Sequence, residues 1–149
     1  MKIFIKTKVK NSLPNIHAKF NREFFENLAP PIVDLTIERF DGCLKGDEIH
    51  LSLKLFGLVN SKWVSRITTS EYNAQEFYFI DEGLLLPPPL TQWRHVHSVE
   101  KIDANNCFVI DSIEFKTNSP LLDKVIYPAL YAMFLYRRPI YKSYLSHPN

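Results

Sequence analysis

Apolar and polar residues alternate with a period of two over much of the chain. In residues 2–9, Ile3, Ile5 and Val9 share one face, and lysines occupy the opposite face. Because successive side chains of a β-strand point to opposite faces, this alternation predicts a half-buried strand. A similar pattern, bounded by turn residues, predicts about six further strands. These later segments are 33–38, 48–55, 62–70, 76–82, 92–102 and 106–115.

Helical spacing appears in two places, and the first lies directly after the N-terminal strand. In residues 15–28, Phe20, Phe24 and Leu28 recur at intervals of four residues. Side chains at this spacing share one face of a helix. We expect a helix that ends before Pro30, because the residue preceding a proline is disfavoured in a helix.

The second helical pattern occupies the C-terminal part of the chain. Ser119 is a favourable N-cap, and Pro120 fits the first helical position. Two neighbouring apolar stripes follow, so we expect one long helix that is largely covered by other elements. Pro128 and Pro139 should kink this helix or mark its end, and we expect a break near one of them. The stripes contain Leu122, Ile126, Ala129, Met133, Tyr136 and Ile140, and Tyr127, Leu130, Phe134, Tyr141 and Leu145.

This order of elements predicts an α+β fold in a single domain that spans residues 1–149. Consecutive strands joined by short turns favour an antiparallel meander, because parallel strands need longer crossover connections. A length of 149 residues is typical of one domain. The hydrophobic fraction of 46% and the charged fraction of 23% are ordinary for a globular protein and argue against disorder.

Charge and cysteine content narrow the possible functions. The formal net charge of +2 is too small to indicate a nucleic-acid partner, which usually requires a strongly basic surface. Cys43 and Cys107 have no spacing that indicates pairing, so we expect two reduced thiols. The N-terminus lacks signal-peptide features, and no segment is apolar for long enough to span a membrane. We therefore expect a cytoplasmic protein without stable membrane insertion.

The second half of the chain carries an ordered set of motifs. Phe79-x-Asp81 precedes a proline-rich loop, and Trp93-x-His95-x-His97 follows it. In this order of motifs the chain resembles the polyketide cyclase/dehydrase-like branch of the START-like (SRPBCC) superfamily. The other matching features are Asp111, Pro120, residues 134–137 (FLYR), residues 28–31 (LAPP) and residues 45–47 (KGD).

The resemblance implies a helix-grip (START/Bet v 1-like) fold. In this fold a curved antiparallel sheet of about seven strands wraps around a long C-terminal helix, and short helical segments follow the first strand. It also implies a cavity between sheet and helix that binds apolar ligands. Members of the family often carry Gly-Pro-aromatic where this chain has Pro87–Leu90. The resemblance therefore leaves open whether the Gly83–Pro89 loop acts as a lid.

Trp93, His95 and His97 must point to one side of their strand, because they are two residues apart. Two imidazoles on one face are potential metal ligands, but a catalytic zinc usually needs a third protein ligand. Asp81 or Asp111 could supply it, yet no cysteine or further histidine has a recognisable spacing. We therefore expect no metal and no other cofactor. The alternatives are buried hydrogen bonds that fix the sheet, or groups that orient a ligand.

Asp81 and Asp111 alternate with apolar residues, so both carboxylates are candidates for the buried face of the sheet. A desolvated carboxylate needs a partner or takes up a proton. The candidate partners are His95, His97 and Arg137. An Asp–His pair of this kind acts either as a buried structural pair or as a general base.

Three functions are compatible with these features. The leading hypothesis is a non-catalytic protein that binds a small hydrophobic molecule, such as a lipid, an isoprenoid or an aromatic, polyketide-like compound. The second is a cyclase or dehydratase in which His95 or His97 acts with Asp81 or Asp111. The third is a membrane- or protein-interaction module that uses the Leu84–Leu90 loop. The predicted ligand-binding residues are Leu53, Trp63, Phe79, Trp93, His95, His97, Asp111, Met133 and Tyr136.

Overall fold

The structure is a computed structural model that describes residues 1–147. About half of these residues lie in β-strands. Seven strands and four helices follow one another along this range, which confirms the predicted number of strands. The elements are β1 (Lys2–Val9), α1 (Leu13–Ala18), α2 (Arg22–Glu26), β2 (Val33–Phe40), β3 (Glu48–Leu55), β4 (Val59–Tyr72), β5 (Glu76–Leu85), β6 (Leu90–Asp103), β7 (Asn106–Thr117), α3 (Pro120–Leu135) and α4 (Arg137–Tyr144).

The seven strands form one curved antiparallel sheet in the order β1-β7-β6-β5-β4-β3-β2. From β2 to β7 each strand pairs with the next in sequence, and β1 joins the far edge by pairing with β7. The predicted antiparallel α+β fold is therefore confirmed. In the register of the sheet, Asp81 opposes His95 and His97 opposes Asp111. Three neighbouring strands thus bring these four residues together.

The inner face of the sheet carries the core, and the helices pack against it. In β1, Ile3, Ile5 and Val9 point inward and are buried, as the alternation predicts. Phe24 of α2 and Tyr141 of α4 join the same apolar cluster as Val9. Burial of a large apolar side chain contributes roughly 1.5–3 kcal/mol relative to its exposed state. These contacts therefore fix the short helices to the sheet.

The sequence predicts one continuous helix in residues 15–28. That prediction is wrong, because the structure contains two short helices there. α1 ends at Ala18, and Asn21 adopts an extended conformation. The Asn21 side chain accepts a hydrogen bond of 3.0 Å from the backbone N–H of Phe24. An asparagine that caps the first turn in this way starts a new helix. The second helix directs Phe24 into the core.

The C-terminal helix breaks at Tyr136, close to one of the two prolines named by the sequence. α3 ends at Leu135, two residues separate Tyr136 from Pro139, and α4 continues to Tyr144. Proline lacks an N–H donor, and its ring clashes with the carbonyl four residues earlier, which here belongs to Leu135. Pro128 lies inside α3, which continues past it.

α3 is covered less than its apolar sequence predicts. Phe134 is the one residue of this helix that is fully buried, whereas Leu121 and Val125 are 72% and 66% exposed. The helix contacts β7, β1 and α4, and its outer side faces solvent. The prediction of a largely covered helix is therefore wrong, because the described part of the chain covers only its inner side.

β5 is longer than predicted, so the loop expected over Gly83–Pro89 is shorter. The strand continues to Leu85, and β6 begins at Leu90. Leu84 and Leu85 are exposed, whereas Leu86 packs against the apolar cluster around the sheet. Only part of the Leu84–Leu90 surface is therefore free to contact a membrane or a partner, and that role stays a prediction.

Neither cysteine is paired, as the sequence predicts. Burial raises the pKa of the Cys43 thiol to about 12, so this group is a poor nucleophile at neutral pH. Cys107 is fully buried. Within residues 1–147, no helix is both long and apolar enough to cross a membrane.

The cluster beneath α4 generates a stability prediction. Leu145 is 0% exposed, and Leu145→Ala should lower the free energy of unfolding by about 2–5 kcal/mol, because it leaves a cavity in the core. Leu121→Ala is the matched control, since this leucine is 72% exposed, and it should change the free energy by less than about 0.5 kcal/mol. Urea unfolding measures both values. Equal effects would contradict the described packing of the C-terminal helices.

Candidate functional site

A cavity of about 180 Å³ lies between the inner face of the sheet and the C-terminal helices. Strands β2 to β6 form one wall, and side chains of α2, α3 and α4 form the other. Most of the wall is aliphatic or aromatic, so a guest would meet mainly apolar atoms. The polar side chains on the wall are Ser65, Asp81, His95, His97 and Arg137.

The alternation of side chains along β6 turns three candidate site residues toward this cavity. Trp93, His95 and His97 are 7%, 2% and 5% exposed, and all three line the wall. The residues between them point to the outer face of the sheet, because side chains alternate along a strand. The common orientation of the three residues is therefore as the sequence predicts.

His95 pairs with Asp111 of β7. The Nε2 atom of His95 lies 2.8 Å from Oδ1 of Asp111, and both side chains are almost fully buried. The hydroxyl of Tyr141 in α4 donates to the same carboxylate, at 3.2 Å from Oδ1 and 3.0 Å from Oδ2. A buried carboxylate is costly unless it is paired and hydrogen-bonded. This contact therefore links β6, β7 and α4.

His97 pairs with Asp81 of β5. The Nε2 atom of His97 lies 3.2 Å from Oδ2 of Asp81, and the indole N–H of Trp93 donates to Oδ1, also at 3.2 Å. The ring of His97 stacks on Phe79 with 4.4 Å between centroids. The rings of His95 and His97 are 3.5 Å apart, centroid to centroid. The two Asp–His pairs therefore form one continuous network at the polar end of the cavity.

The environment sets the charge of this network. Burial and the neighbouring His97 lower the pKa of His95 to about 4, although its hydrogen bond with Asp111 acts in the opposite direction. Burial acts to raise the pKa of Asp81 and of Asp111, but hydrogen bonds with the histidines and nearby positive charges together outweigh it, so both pKa values lie below the ordinary range. At neutral pH the network therefore combines ionised carboxylates with a neutral His95.

These charge states determine the tautomer of His95. An ionised carboxylate only accepts hydrogen bonds, so the Nε2 atom of His95 carries the proton that faces Asp111. The Nδ1 atom of the neutral ring then keeps its lone pair. Burial and the nearby Asp111 raise the pKa of Tyr141, so its hydroxyl stays protonated and donates to the carboxylate.

Arg137 supplies positive charge at the junction of α3 and α4. Its guanidinium carbon lies 4.2 Å from the centroid of the Phe134 ring, which is a cation–π contact. The same charge helps to lower the pKa of Asp111. The site can therefore accept hydrogen bonds, donate them or exchange a proton with a guest at one end of an apolar space.

Most, but not all, of the predicted ligand-binding residues lie on the cavity wall. Phe79 lies behind His97, Asp111 lies behind His95, and Tyr136 is exposed where α3 and α4 meet. Within the described residues, no part of the Gly83–Pro89 loop lines the cavity, so the structure does not give this loop the position of a lid. The predicted residues on the wall are Leu53, Trp63, Trp93, His95, His97 and Met133.

Sequence reasoning did not assign Tyr141 or Ser65 to the site. The sequence places Tyr141 on an apolar helix stripe, but a buried tyrosine hydroxyl usually needs a hydrogen-bond partner. That requirement, together with a buried Asp111 in need of a donor, was the available signal. Ser65 carries no such signal, because its place on the wall depends on the register of β4 with its neighbours.

Several solved structures have the same fold as this chain. Norcoclaurine synthase from Thalictrum flavum, in complex with dopamine and hydroxybenzaldehyde, is 15% identical with a TM-score of 0.67 and covers 100% of this chain and 88% of its own. A Streptomyces aromatase/cyclase is 11% identical with a TM-score of 0.65, covering 94% of this chain and 92% of its own. A START superfamily protein from Mycobacterium smegmatis is 11% identical with a TM-score of 0.63, covering 93% and 95%.

These similarities establish a START/SRPBCC-like helix-grip fold for the chain, as the sequence motifs predict. No protein-family model matches the sequence. No curated protein matches it either. At identities between 11% and 15%, the shared property is the fold.

The Tyr141–Asp111 contact generates the second prediction. Tyr141→Phe removes one donor from a buried carboxylate and should lower the free energy of unfolding by about 1.5–3 kcal/mol. Tyr131→Phe is the matched control, because Tyr131 lies on α3 and is more than one-third exposed. It should change the free energy by less than about 0.5 kcal/mol. Urea unfolding followed by circular dichroism measures both, and a neutral Tyr141→Phe would reject the role of this bond.

Proposed function

We propose that the protein binds a small hydrophobic molecule in the cavity between its sheet and α3. The observation that carries this proposal is the distribution of polarity in the cavity. Aliphatic and aromatic side chains form most of the wall, and ionisable groups are concentrated in one network. Ligand pockets of proteins typically combine an apolar wall with a few placed polar groups. Burial of apolar ligand surface contributes about 25 cal/mol per Å².

The volume of the cavity supports a guest of modest size. An apolar cavity of about 150 Å³ is known to stay dry and to accept benzene. The 180 Å³ of this cavity therefore suits a guest with one aromatic ring or a short isoprenoid chain. A larger lipid would require α3 to move away from the sheet. Such a movement would expose one fully buried side chain of α3, Phe134, and would leave the hydrogen bond from Tyr141 of α4 to Asp111 in place.

The polar network supports a fixed orientation of the guest. Asp81 and His97 lie on the wall beside each other, and Arg137 lies on the opposite, helical side. A guest with one polar group would place that group here and its apolar body against Leu53, Trp63 and the strands around them. A buried polar group of the guest would otherwise lose its hydrogen bonds to water.

Proteins of the same fold support an aromatic or polyketide-like guest. The Thalictrum synthase structure contains dopamine and hydroxybenzaldehyde, and the Streptomyces protein is an aromatase/cyclase. We propose a guest of comparable chemical class for this chain. We also propose that a single domain of residues 1–149 acts in the cytoplasm, which the free thiols of Cys43 and Cys107 support.

A second candidate function is catalysis by the His97–Asp81 pair. The observation that favours it is the position of both groups on the cavity wall, with 3.2 Å between Nε2 and Oδ2. A histidine oriented by a carboxylate beside a bound guest has the geometry of a general acid–base group. In this alternative the protein is an enzyme of cyclase or dehydratase type, and the His95–Asp111 pair supports it from behind.

The binding proposal predicts that the native protein binds ANS, a dye with an aromatic body and one sulfonate group, at a single site. Leu53→Trp should fill part of the cavity and raise the dissociation constant at least tenfold, equivalent to about 1.4 kcal/mol. Leu58→Trp is the matched control, because Leu58 is 83% exposed at the tip between β3 and β4. Fluorescence titration measures both constants. Native protein that binds neither the dye nor the one-ring compound hydroxybenzaldehyde, or equal constants for the two variants, would reject the cavity as the site.

The catalytic alternative predicts consumption of dopamine together with hydroxybenzaldehyde faster than in buffer. His97→Gln should lower that rate by about 10²–10⁴-fold while ANS affinity stays within about twofold. His50→Gln is the control, since the His50 ring contacts Glu48 away from the cavity. Liquid chromatography measures substrate loss. An equal loss of rate in both variants would reject His97 as the acid–base group.

A further inference from the structure

Three potential metal ligands converge at the polar end of the cavity. Asp81, His95 and His97 each offer one ligand atom, and these atoms all lie within 4.8 Å of one another. The residues come from the neighbouring strands β5 and β6, whose register sets Asp81 opposite His95. Two imidazoles and one carboxylate form a set that divalent transition metals bind, with further coordination positions left open.

The contact between Asp81 and His97 already has the spacing of two ligands on one ion. Oδ2 of Asp81 and Nε2 of His97 are 3.2 Å apart. Two ligands that each lie about 2.0–2.1 Å from a tetrahedral zinc ion are separated by about 3.4 Å. A metal ion can therefore replace the proton that these two groups share, without a change in the backbone.

The ring nitrogen of His95 that faces away from the cavity is held by a carboxylate, as is common for histidines that bind a metal. This Nε2 atom faces Asp111, and Asp111 also accepts a hydrogen bond from Tyr141. Histidine ligands usually donate their second N–H to a carboxylate, which fixes the ring and its tautomer. Asp111 does not line the cavity and therefore orients His95 rather than binding the ion itself.

The charges around the site favour a cation. The positive charge of Arg137 stabilises the ionised form of Asp111. Asp81 instead contacts the uncharged indole of Trp93 and the imidazole of His97. Among the described residues that line the cavity, Arg137 is the one with a permanent positive charge. One buried carboxylate, Asp111, and one largely buried carboxylate, Asp81, thus share a single permanent positive charge, and a divalent cation would balance the remaining negative charge.

We propose that Asp81, His95 and His97 bind one divalent transition-metal ion, with Zn²⁺ as the best-fitting ion, and that its open coordination position faces the apolar cavity. The sequence offered Asp81 and Asp111 as equivalent third ligands, and spacing alone favoured no metal. The strand register distinguishes the two carboxylates, since only Asp81 lies on the wall. This site goes beyond the binding of a hydrophobic guest and does not depend on it.

Titration of the full chain with Co²⁺, after removal of metals by a chelator, tests the site. The wild type should bind one Co²⁺ per chain with the intense visible absorption of a four-coordinate ion, and Zn²⁺ should displace it. Asp81→Asn and His97→Gln should abolish this absorption. Asp111→Asn should weaken Co²⁺ binding by only about 10- to 100-fold, because Asp111 orients the ligand His95 and does not itself bind the ion.

His50→Gln is the matched control, since His50 and Glu48 form the other described histidine–carboxylate contact that is shorter than 3 Å. This variant should bind Co²⁺ as the wild type does. The proposal is overturned if the wild type does not bind Co²⁺ at one ion per chain. It is equally overturned if both Asp81→Asn and His97→Gln bind it normally, or if His50→Gln does not bind it.

If the variants do not fold, NMR of the imidazole nitrogens of the wild type tests whether His95 and His97 bind the ion. Zn²⁺ should shift the ring signals of His95 and His97 and leave those of His17 and His50 in place, and any other pattern overturns the proposal. ANS binding measured with the chelator present separates the two claims. Its loss would reject the hydrophobic cavity, whereas absence of metal binding would reject only the metal site.

Discussion

Two carboxylates on the inner face of the sheet, one buried and one largely buried, are the constraint on which the rest of the structure depends. An unpaired charge among apolar side chains costs several kcal/mol, so Asp81 and Asp111 require partners. Those partners come from separate elements, with His97 beside Asp81 and with His95 and Tyr141 around Asp111. Strands β5, β6 and β7 must therefore adopt one register, and α4 must dock, before both charges are satisfied.

The same network accounts for the asymmetry of the cavity. At one end of the cavity, the side chains of the two Asp–His pairs pack against one another. The rest of the wall consists mainly of aliphatic and aromatic groups. α4 is fixed by the hydrogen bond from Tyr141 to Asp111, and Phe134 is the single fully buried residue of α3. Most side chains of α3 remain at least partly exposed, so displacement of this helix by a guest would expose few fully buried side chains.

Much of the fold could be predicted from the sequence, because alternation determines which side chains of a strand point inward. The pairing of the four site residues could not, since the choice between Asp81 and Asp111 as partner of His97 depends on register across strands. The alternation of apolar and polar residues also does not show whether an inward-pointing side chain reaches the cavity or lies behind another residue. Asp111 points inward and yet lies behind an imidazole, and Tyr136 leaves the helix stripe because the helix breaks there.

In the function that we propose, a hydrophobic guest occupies the space between the sheet and α3. Intermolecular nuclear Overhauser effects between bound ANS and the methyl groups of the protein test this claim most directly. We predict contacts to Leu53 and Met133, which line the cavity, and none to Leu58 or Leu121, which are exposed at the surface. Contacts confined to the surface leucines would contradict it.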